Sequence, residues 1–351
     1  MRRTTTILTA LGIALPVAVL IAALAMIDGL HSAFASTSDS RNVLVLRKGA
    51  TSELSSNLTN DIYRQILYQP GVATVDNAPL VSLELVTVVT LSSKNGAKGF
   101  PVTLRGISPA GIQLHDVKLL EGRWFQSGQQ ELVVGRSITR RAASARVGDD
   151  IRIGNSNWHV VGIMDAGHSA FNSELFADAN QVSGDFNRRD QFSSITVRAS
   201  DASSVPTLIS ALNDNPRLNV NAQSETSYYA LQTASGASLE RLGIFVALIM
   251  SVGSCFAAMN TMYAAVSRRA REIGILRVLG FSKNSILASF LAESLVLAGV
   301  GGLAGCLFSL PLNLVTTAVG NFTTMSETSF RFHAGIPILL TGLVFALVVG
   351  A

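Results

Sequence analysis

Apolar residues along this chain are concentrated in long blocks near its two ends. Residues 7–27 and 242–266 each contain no charged side chain. Because a helix rises about 1.5 Å per residue, each block is long enough to cross a hydrocarbon core of about 30 Å. A third block, 286–319, carries one acid, Glu293, and a fourth block covers 336–351. The pattern therefore predicts an α-helical membrane protein with four transmembrane helices.

The long region between the first two blocks has the pattern of a folded α+β domain. Short β-prone runs alternate there with amphipathic runs at helical spacing. The pattern strand, helix, strand occurs twice, at 42–47, 52–69 and 72–76 and again at 194–198, 202–213 and 218–222. We predict an α/β region that is assembled from both ends of the domain.

Between these two units, turn signals separate further short β-prone runs. The runs are 80–91, 100–105, 131–134, 151–153 and 158–164, and a small helix is predicted over 136–145. Lys94-Asn95-Gly96 contains a hairpin signal, because Asn-Gly favours the positive φ values of tight β-turns. We therefore expect a β-rich insertion, placed approximately at residues 111–190.

Residues 267–285 form a basic segment between the second and third apolar blocks. The bases are Arg268, Arg269, Arg271, Arg277 and Lys283, against the single acid Glu272. Such an excess beside membrane spans marks a cytoplasmic loop, and Arg2 and Arg3 place the start of the chain on the same side. Ile273, Leu276, Val278 and Leu279 make an apolar stripe at near-helical spacing, Gly280 suits a helix C-cap, and Ser282 can cap the next helix. The stripe predicts a helix that docks against a partner.

These patterns set the expected boundaries and leave several alternatives open. The predicted parts are a first transmembrane helix (1–30), an extracytoplasmic domain (31–235), a stalk with the second helix (236–266), a cytoplasmic segment (267–285), a third helix (286–319), an external loop (320–335) and a fourth helix (336–351).

The last run is short for a span, so we expect a truncated chain, or a short helix that thins the bilayer. Residues 1–35 could alternatively be a cleavable signal peptide. Residues 224–242 could be one continuous helix or a flexible linker.

Composition and motifs exclude several functional classes. The chain is 48% hydrophobic and 14% charged, with a net charge of +4. Its basic residues cluster beside the apolar blocks rather than in a basic stripe with interleaved aromatics, so we exclude nucleic acid as a partner. Cys255 and Cys306 fall inside apolar runs. The five histidines, His31, His115, His159, His168 and His333, lack metal-ligand spacing and are interpreted as isolated surface residues. Asp149 and Asp150 are interpreted as turn acids.

The 351 residues contain no Gly-x-x-x-x-Gly-Lys-Ser/Thr loop and no catalytic motif. We therefore expect no catalytic, cofactor or metal site on this chain, and any ATP-driven work would have to be done by another chain. Glu293 stands alone inside its apolar block, so an interfacial or inter-helix hydrogen bond near the cytoplasmic end is favoured over a transport role.

The order of one span, a large external domain, a second span, Ser-Arg-Arg-Ala-Arg-Glu-Ile-Gly-Ile-Leu-Arg-Val-Leu-Gly (residues 267–280) and two more spans resembles the MacB/FtsX family of ABC transporter permeases. The likeness covers nearly the whole chain. Its most specific part is residues 268–280, centred on Arg271-Glu272-Ile273-Gly274. Supporting stretches are residues 11–14, 46–50, 121–125 and 147–151.

The resemblance implies a porter-like α/β region plus a β-rich, Sabre-like insertion. It also implies that the basic loop contacts a separate ABC ATPase, as the coupling segment of a mechanotransmitter. The carried-over coupling residues are Arg268, Arg269, Arg271, Glu272, Gly274, Leu276, Arg277, Leu279 and Gly280. Family members pair two permeases with two ATPase subunits, so a homodimer or heterodimer in a bacterial cytoplasmic (inner) membrane is expected. Many relatives also have a cytoplasmic helix before the first span and a basic tail after the fourth, which are not found here.

The resemblance implies a non-catalytic subunit of a transporter that exports or extracts a lipoprotein, lipid, peptide or drug. The further partners that it implies are membrane lipid and a periplasmic adaptor or cargo. Two alternatives remain at this point. One is an ATPase-driven regulator of an external cell-wall hydrolase, and the other is a membrane-anchored ligand sensor. A sensor would need a signalling domain after a cytoplasmic segment, and the sequence shows none.

Overall fold

The computed structural model describes residues 2–94, 96, 99–233, 237–321 and 325–350. It divides into a membrane-type unit, Met1–Leu30, Gly236–Thr316 and Arg331–Ala351, and an outer unit, His31–Ser235 and Thr317–Phe330. Asn95 of the predicted hairpin turn lies outside the described residues. So do residues 234–236, on which the predicted continuity of the stalk helix depends.

Eleven α-helices are formed by the described residues. They are α1 (Arg2–Ala35), α2 (Asn60–Ile66), α3 (Pro109–Leu114), α4 (Arg136–Thr139), α5 (Ala179–Asp185), α6 (Val205–Asn213), α7 (Glu225–Thr233), α8 (Ala237–Arg268), α9 (Ala270–Val278), α10 (Lys283–Ser309) and α11 (Ile336–Gly350). Short 3-10 helices lie at Glu53–Ser55, Ala170–Ser173 and Leu310–Leu314.

Fourteen strands are present in the same residues. They are β1 (Asn42–Arg47), β2 (Thr74–Val75), β3 (Ala78–Pro79), β4 (Val81–Leu91), β5 (Phe100–Ile107), β6 (Lys118–Gly122), β7 (Glu131–Gly135), β8 (Asp150–Ile153), β9 (Ser156–Asp165), β10 (Glu174–Asp178), β11 (Ser194–Arg198), β12 (Val220–Ser224), β13 (Thr316–Asn321) and β14 (Ser326–Arg331).

Ten of the strands form one sheet in the outer unit. Its order is β12-β1-β11-β4-β5-β10-β7-β9-β6, with β8 paired to β9. β1 lies between β11 and β12, so strands from the two ends of the domain pair as the repeated pattern predicts. The β5–β10 and β7–β9 pairs are parallel, and the other pairs in the sheet are antiparallel. The strands within 111–190 belong to the same sheet as the strands outside this range. A boundary that separates a β-rich insertion at 111–190 from the rest of the domain therefore stays a prediction.

The central strands are buried along most of their length because both faces of the sheet are covered. Five of the six residues of β1 are buried, which removes the alternation expected of a strand with one wet face. The main core lies around these strands and includes Leu58, Leu104 and the fully buried Trp158. A smaller core around Phe171 and Phe176 includes Ile107 and Met164.

Two sequence-predicted helices are shorter in the structure. The prediction of a helix over 52–69 is wrong, since a 3-10 turn is followed by α2, which starts only at Asn60. The helix is interrupted because Leu58 exchanges backbone hydrogen bonds with Phe192, at 2.7 and 2.8 Å, and so adopts a bridge conformation. Likewise, the helix predicted over 136–145 ends at Thr139.

The membrane-type unit consists of long apolar helices. Ile13, Val17 and Ile21 of α1 are buried in one cluster with Ala298 of α10 and Ala346 of α11. Among the residues that the structure describes, two stretches can cross a membrane by length and composition, Ala10–Ala35 and Lys283–Leu314, with mean hydropathies of 2.7 and 2.0. Arg241–Phe256 and Ile336–Gly350 are shorter apolar helices.

The predicted third span is too long. The run predicted as a helix up to residue 319 leaves α-helical geometry at Ser309, where Pro311 falls in the following 3-10 turn, and β13 then begins at Thr316. Proline lacks the N–H that the next helical hydrogen bond requires, so a break at this point follows from the sequence. The predicted external loop, 320–335, contains β14 and the end of β13, which pair as a hairpin that apolar periodicity did not indicate.

Gly135→Ala should destabilise the outer unit by about 1–3 kcal/mol, because a Cβ at this position would lie 2.3 Å from the backbone oxygen of Asn172. Both tryptophans of the chain, Trp124 and Trp158, lie in this unit, so thermal unfolding followed by tryptophan fluorescence reports on it. Gly184→Ala in α5 is the matched control, since its Cβ would meet no atom within 4 Å. An equal melting temperature for both variants would contradict the packing at Gly135.

Candidate functional site

The basic segment forms a short helix, α9, immediately after α8. α8 ends at Arg268, and Arg269 leaves helical geometry before α9 begins at Ala270. Arg269 Nη1 donates to Glu293 Oε2 of α10 at 3.1 Å, so Glu293 forms a structural hydrogen bond of the kind predicted for it. Because both side chains are partly exposed, at 33% and 44%, the pair orients the segment more than it stabilises it.

The end of α9 is closed by a glycine cap. Gly280 has a φ of +95°, and the amide of Phe281 donates to the carbonyl of Leu276 at 3.1 Å. A residue with a Cβ is strained at this φ, so the chain needs glycine to turn here. Ser282 then caps α10 by accepting a hydrogen bond from the amide of Ser285 at 3.1 Å. Both predicted caps are confirmed.

The apolar residues of this segment are exposed in the described chain. Val278 is 88% exposed, Leu279 70%, Ile275 56%, Phe281 51% and Leu276 37%. Ile275, Val278 and Leu279 are spaced i, i+3 and i+4, which places them on one helix face. A cluster of large apolar side chains on a basic helix is typical of an interaction surface.

All nine predicted coupling residues lie in this stretch. Arg268 ends α8 and Arg269 forms the junction, Arg271, Glu272, Gly274, Leu276 and Arg277 lie on α9, and Leu279 and Gly280 follow it. No residue of α9 is buried, and Arg277 Nη1 donates to the carbonyl of Phe281 at 3.1 Å. The structure thus brings the predicted residues together on a surface, and their coupling role stays a prediction.

A second polar centre, which sequence reasoning missed, lies inside the outer unit. Arg105 of β5 binds three carboxylates from separate segments. Its Nη1 donates to Glu53 and to Glu84, each at 2.8 Å, and its Nε donates to Glu174 at 2.7 Å. His115 Nε2 lies 2.8 Å from Glu84 Oε1. His115 is only 8% exposed, so the prediction that it is a surface histidine is wrong.

Burial and charge act against each other in this cluster. Burial disfavours the charged form of Glu84, but His115 and Arg105 outweigh it and lower the pKa of Glu84 to about 2. Burial opposes protonation of His115, yet the adjacent Glu84 raises its pKa above the ordinary value. The pKa of Glu174 is raised because burial dominates there. Arg105 and His115 therefore outweigh the burial penalty at Glu84, whereas at Glu174 Arg105 offsets only part of it.

The cluster has no room for a sizeable ligand. The cavity beside Arg105, Glu53 and Glu174 has a volume of about 20 Å³, close to that of one water molecule. Within the described ranges, no group of three or more His, Cys, Asp or Glu side chains is placed to hold a metal ion. The sequence offered one signal for this cluster. Glu84 and Arg105 are charged residues in otherwise uncharged strands, and a buried charge requires a partner.

Two domain families match this chain. The MacB-like periplasmic core domain matches residues 6–215, and the FtsX-like permease C-terminal domain matches residues 244–351. The first match alone covers more than half of the chain. The chain belongs to the MacB/FtsX family of ABC transporter permeases. This confirms the resemblance seen in residues 267–280 and agrees with a membrane-embedded protein that carries a periplasmic domain.

Several relatives of this MacB/FtsX-family chain are similar over much of its length. The macrolide export ATP-binding/permease protein MacB of Bdellovibrio bacteriovorus is 23% identical over 96% of this chain and 56% of its own length. The MacB protein of Rhodospirillum rubrum is 26% identical over 97% of this chain and 55% of its own. The ABC transporter permease YknZ of Bacillus subtilis is 23% identical over 70% and 66%. The chain thus spans about half the length of the MacB relatives.

Solved structures of the family are also similar to the chain. The periplasmic region of MacB from Actinobacillus actinomycetemcomitans has 16% identity and a TM-score of 0.43, covering 54% of this chain and 92% of its own. The extracellular domain of the transporter YknZ from Gram-positive bacteria has 16% identity and a TM-score of 0.41, covering 52% and 100%. The family assignment rests on the two domain matches.

The stability of the outer unit should depend on pH through His115. Because the pKa of His115 is raised in the fold, its contribution is fully present below the ordinary histidine pKa of about 6.5 and is lost as the pH rises through the folded value. The charged groups facing it are Glu84, Glu174, Glu225 and Arg105. His115→Gln should therefore lower the melting temperature by several degrees at about pH 5.5 and by less at about pH 9.

Tryptophan fluorescence during thermal unfolding measures this difference. His168→Gln is the control, because His168 is an exposed histidine of the same unit. A His115→Gln deficit that grows toward high pH would show that the ring is held neutral rather than charged.

Proposed function

We propose that this chain is the permease subunit of an ABC transporter in which a separate ATPase drives motion of the extracytoplasmic domain. The observation that carries the proposal is the exposed apolar face of α9, a basic helix between the long apolar helices α8 and α10. Such a face is stabilised when a partner covers it, and the resemblance of this segment to the family's coupling segment supports an ATPase as that partner.

The proposal includes four membrane crossings, by α1, α8, α10 and α11. At about 1.5 Å per residue, the 32 residues of α8 and the 27 of α10 exceed a hydrocarbon core of about 30 Å. α11 has 15 residues, so its crossing requires a thinner bilayer or further helical residues. The positive-inside bias places α9 in the cytoplasm and the outer unit outside it, in a bacterial inner membrane.

Mechanical coupling is favoured over transport through a polar pore. A polar path normally shows several ionisable groups, whereas the acid of the third apolar block, Glu293, is paired with Arg269. We propose that closure of a pair of ATPase subunits shifts α9 and that two permease chains, identical or different, carry the movement to their outer units.

The cargo class is proposed from the relatives. Their names describe macrolide export, which supports export or extraction of a drug, lipid, peptide or lipoprotein at the outer face of the membrane, with a periplasmic adaptor as a further partner. These transporter names support this function over control of a cell-wall hydrolase or ligand sensing.

Leu279→Ser should weaken binding of the ATPase by about tenfold, since an interface residue of this kind contributes about 1–2 kcal/mol and each 1.4 kcal/mol is a factor of ten. The full-length permease is co-purified with candidate ATPase subunits, and affinity and ATP hydrolysis are measured. Tyr68→Ser is the matched control, because Tyr68 is 82% exposed in the outer unit and Leu279 is 70% exposed on the basic segment.

Neither substitution should destabilise the fold, since both side chains are exposed and their removal leaves no cavity. A difference in ATPase affinity between the two variants therefore reports on the interface. Equal affinity of wild type, Leu279→Ser and the double variant Arg271→Ala/Glu272→Ala for the ATPase would rule out the coupling assignment.

A further inference from the structure

The β13–β14 hairpin is joined to the membrane-type helices by short connections. α10 ends at Ser309 and continues through the 3-10 turn Leu310–Leu314 into β13, while β14 ends at Arg331 and α11 begins at Ile336. Residues 317–330 nevertheless belong to the outer unit. Short connections leave little slack, so a displacement of either helix end must move the hairpin or strain it.

β14 is attached to the outer unit by specific polar contacts. Thr103 Oγ1 of β5 donates to Ser326 Oγ at 2.7 Å. The amide of Ser329 donates to Ser173 Oγ at 2.8 Å. These hydrogen bonds are buried, because Ser326 is 3% exposed and Ser329 is 6% exposed. A polar strand that is buried and hydrogen-bonded in this way is held in one register.

An ion pair adds a charged contact at the edge of β14. Arg141 Nη2 donates to Glu327 Oε2, and both side chains are partly buried. The Arg141 guanidinium also lies over the ring of Phe100, 4.2 Å from its centroid. The stacking orients the guanidinium, so the pair favours one position of the hairpin.

The contacts of β14 fall next to the Arg105 cluster. Thr103 precedes Arg105 by two positions on β5 and therefore faces the same side of the sheet, and Ser173 is the neighbour of Glu174. Ser326, Glu327 and Thr328 line the same small cavity as Tyr228 and Gln232 of α7, which precedes α8 in the chain. Both segments therefore meet the buried charges that hold β4, β5 and β10 together.

We propose that the β13–β14 hairpin is a second connection for the transmission of movement, which stays docked on the outer unit and carries displacement of α10 and α11 to β5 and β10. Arg141 and Glu327 are its positioning residues. This inference rests on the proposed ATPase-driven movement, and it adds a route that is separate from α7 and α8.

The docking is tested first without nucleotide, by hydrogen exchange of the full-length protein. Glu327→Lys places a second positive charge beside Arg141, so exchange of the Ser329 amide should become about tenfold faster. Glu327→Gln keeps a hydrogen-bond acceptor and should give a smaller increase. Arg331→Glu is the control, since it changes the charge of the same strand by the same magnitude at an exposed position. Equal exchange in Glu327→Lys and wild type would overturn the proposal.

The transmission is tested in the complex with the ATPase, with and without ATP. In wild type, ATP should change the exchange of β5 and β10 amides. In Glu327→Lys this change should fall at least about twofold while ATPase binding stays as in wild type. An undiminished ATP response in Glu327→Lys would overturn the proposal.

A disulfide distinguishes permanent docking from release during the cycle. The variant Thr103→Cys/Ser326→Cys, with Cys255 and Cys306 replaced by serine, should crosslink readily because the two native hydroxyl oxygens are 2.7 Å apart. The oxidised protein should keep the ATP response of the reduced one, whereas its loss on oxidation would show that the hairpin must undock. Crosslinking and nucleotide-free exchange test docking even without an ATPase. Failure of wild type to bind any ATPase would instead contradict the proposed function.

Discussion

The outer unit is arranged around buried carboxylates that pair with the guanidinium of Arg105 and, at Glu84, also with His115. Glu53, Glu84 and Glu174 come from three separate segments, and Arg105 binds all of them at 2.7–2.8 Å. An ionised carboxylate in such a place is costly unless it is paired, so these segments hold together only in the arrangement that brings Arg105 among them. The cluster therefore favours one arrangement of the sheet, and it fixes β4, β5 and β10 relative to one another at the point where β14 and α7 are attached.

The basic segment, unlike the buried charge cluster, is ordered by local contacts and leaves apolar side chains exposed. Its geometry is local, since Gly280 ends α9, Ser282 begins α10 and Arg269 reaches only as far as Glu293. Nothing in the described part of the chain buries Val278 or Leu279, which are 88% and 70% exposed. A locally ordered helix with an uncovered apolar face is ready to dock without rearrangement. The proposed mechanical coupling requires a well-packed outer unit and an uncovered docking surface on the basic segment.

Family membership and geometry support the same view of the chain from different directions. The matched domains divide it into a periplasmic part and a permease part, and the structure separates two compact units. The contacts of β14 show that a short segment between the last two long helices also belongs to the outer unit. Movement proposed to start at α9 therefore has a second path to the sheet, which is covalent as far as β14 and continues through the hydrogen bonds of β14.

Features that depend on neighbours along the chain could be predicted from the residues alone. Apolar run lengths predicted the long helices, β1 and β11 were predicted within their observed bounds, and the caps at Gly280 and Ser282 followed from residue type. Three features could be seen only in the folded chain. They are the burial of particular charges, the break in the helix predicted over 52–69, and the pairing of Glu327 with Arg141 across 186 positions. The physical reason is that helix periodicity and capping act over a few residues. Burial of a charge, by contrast, depends on partners that only the folded chain brings together.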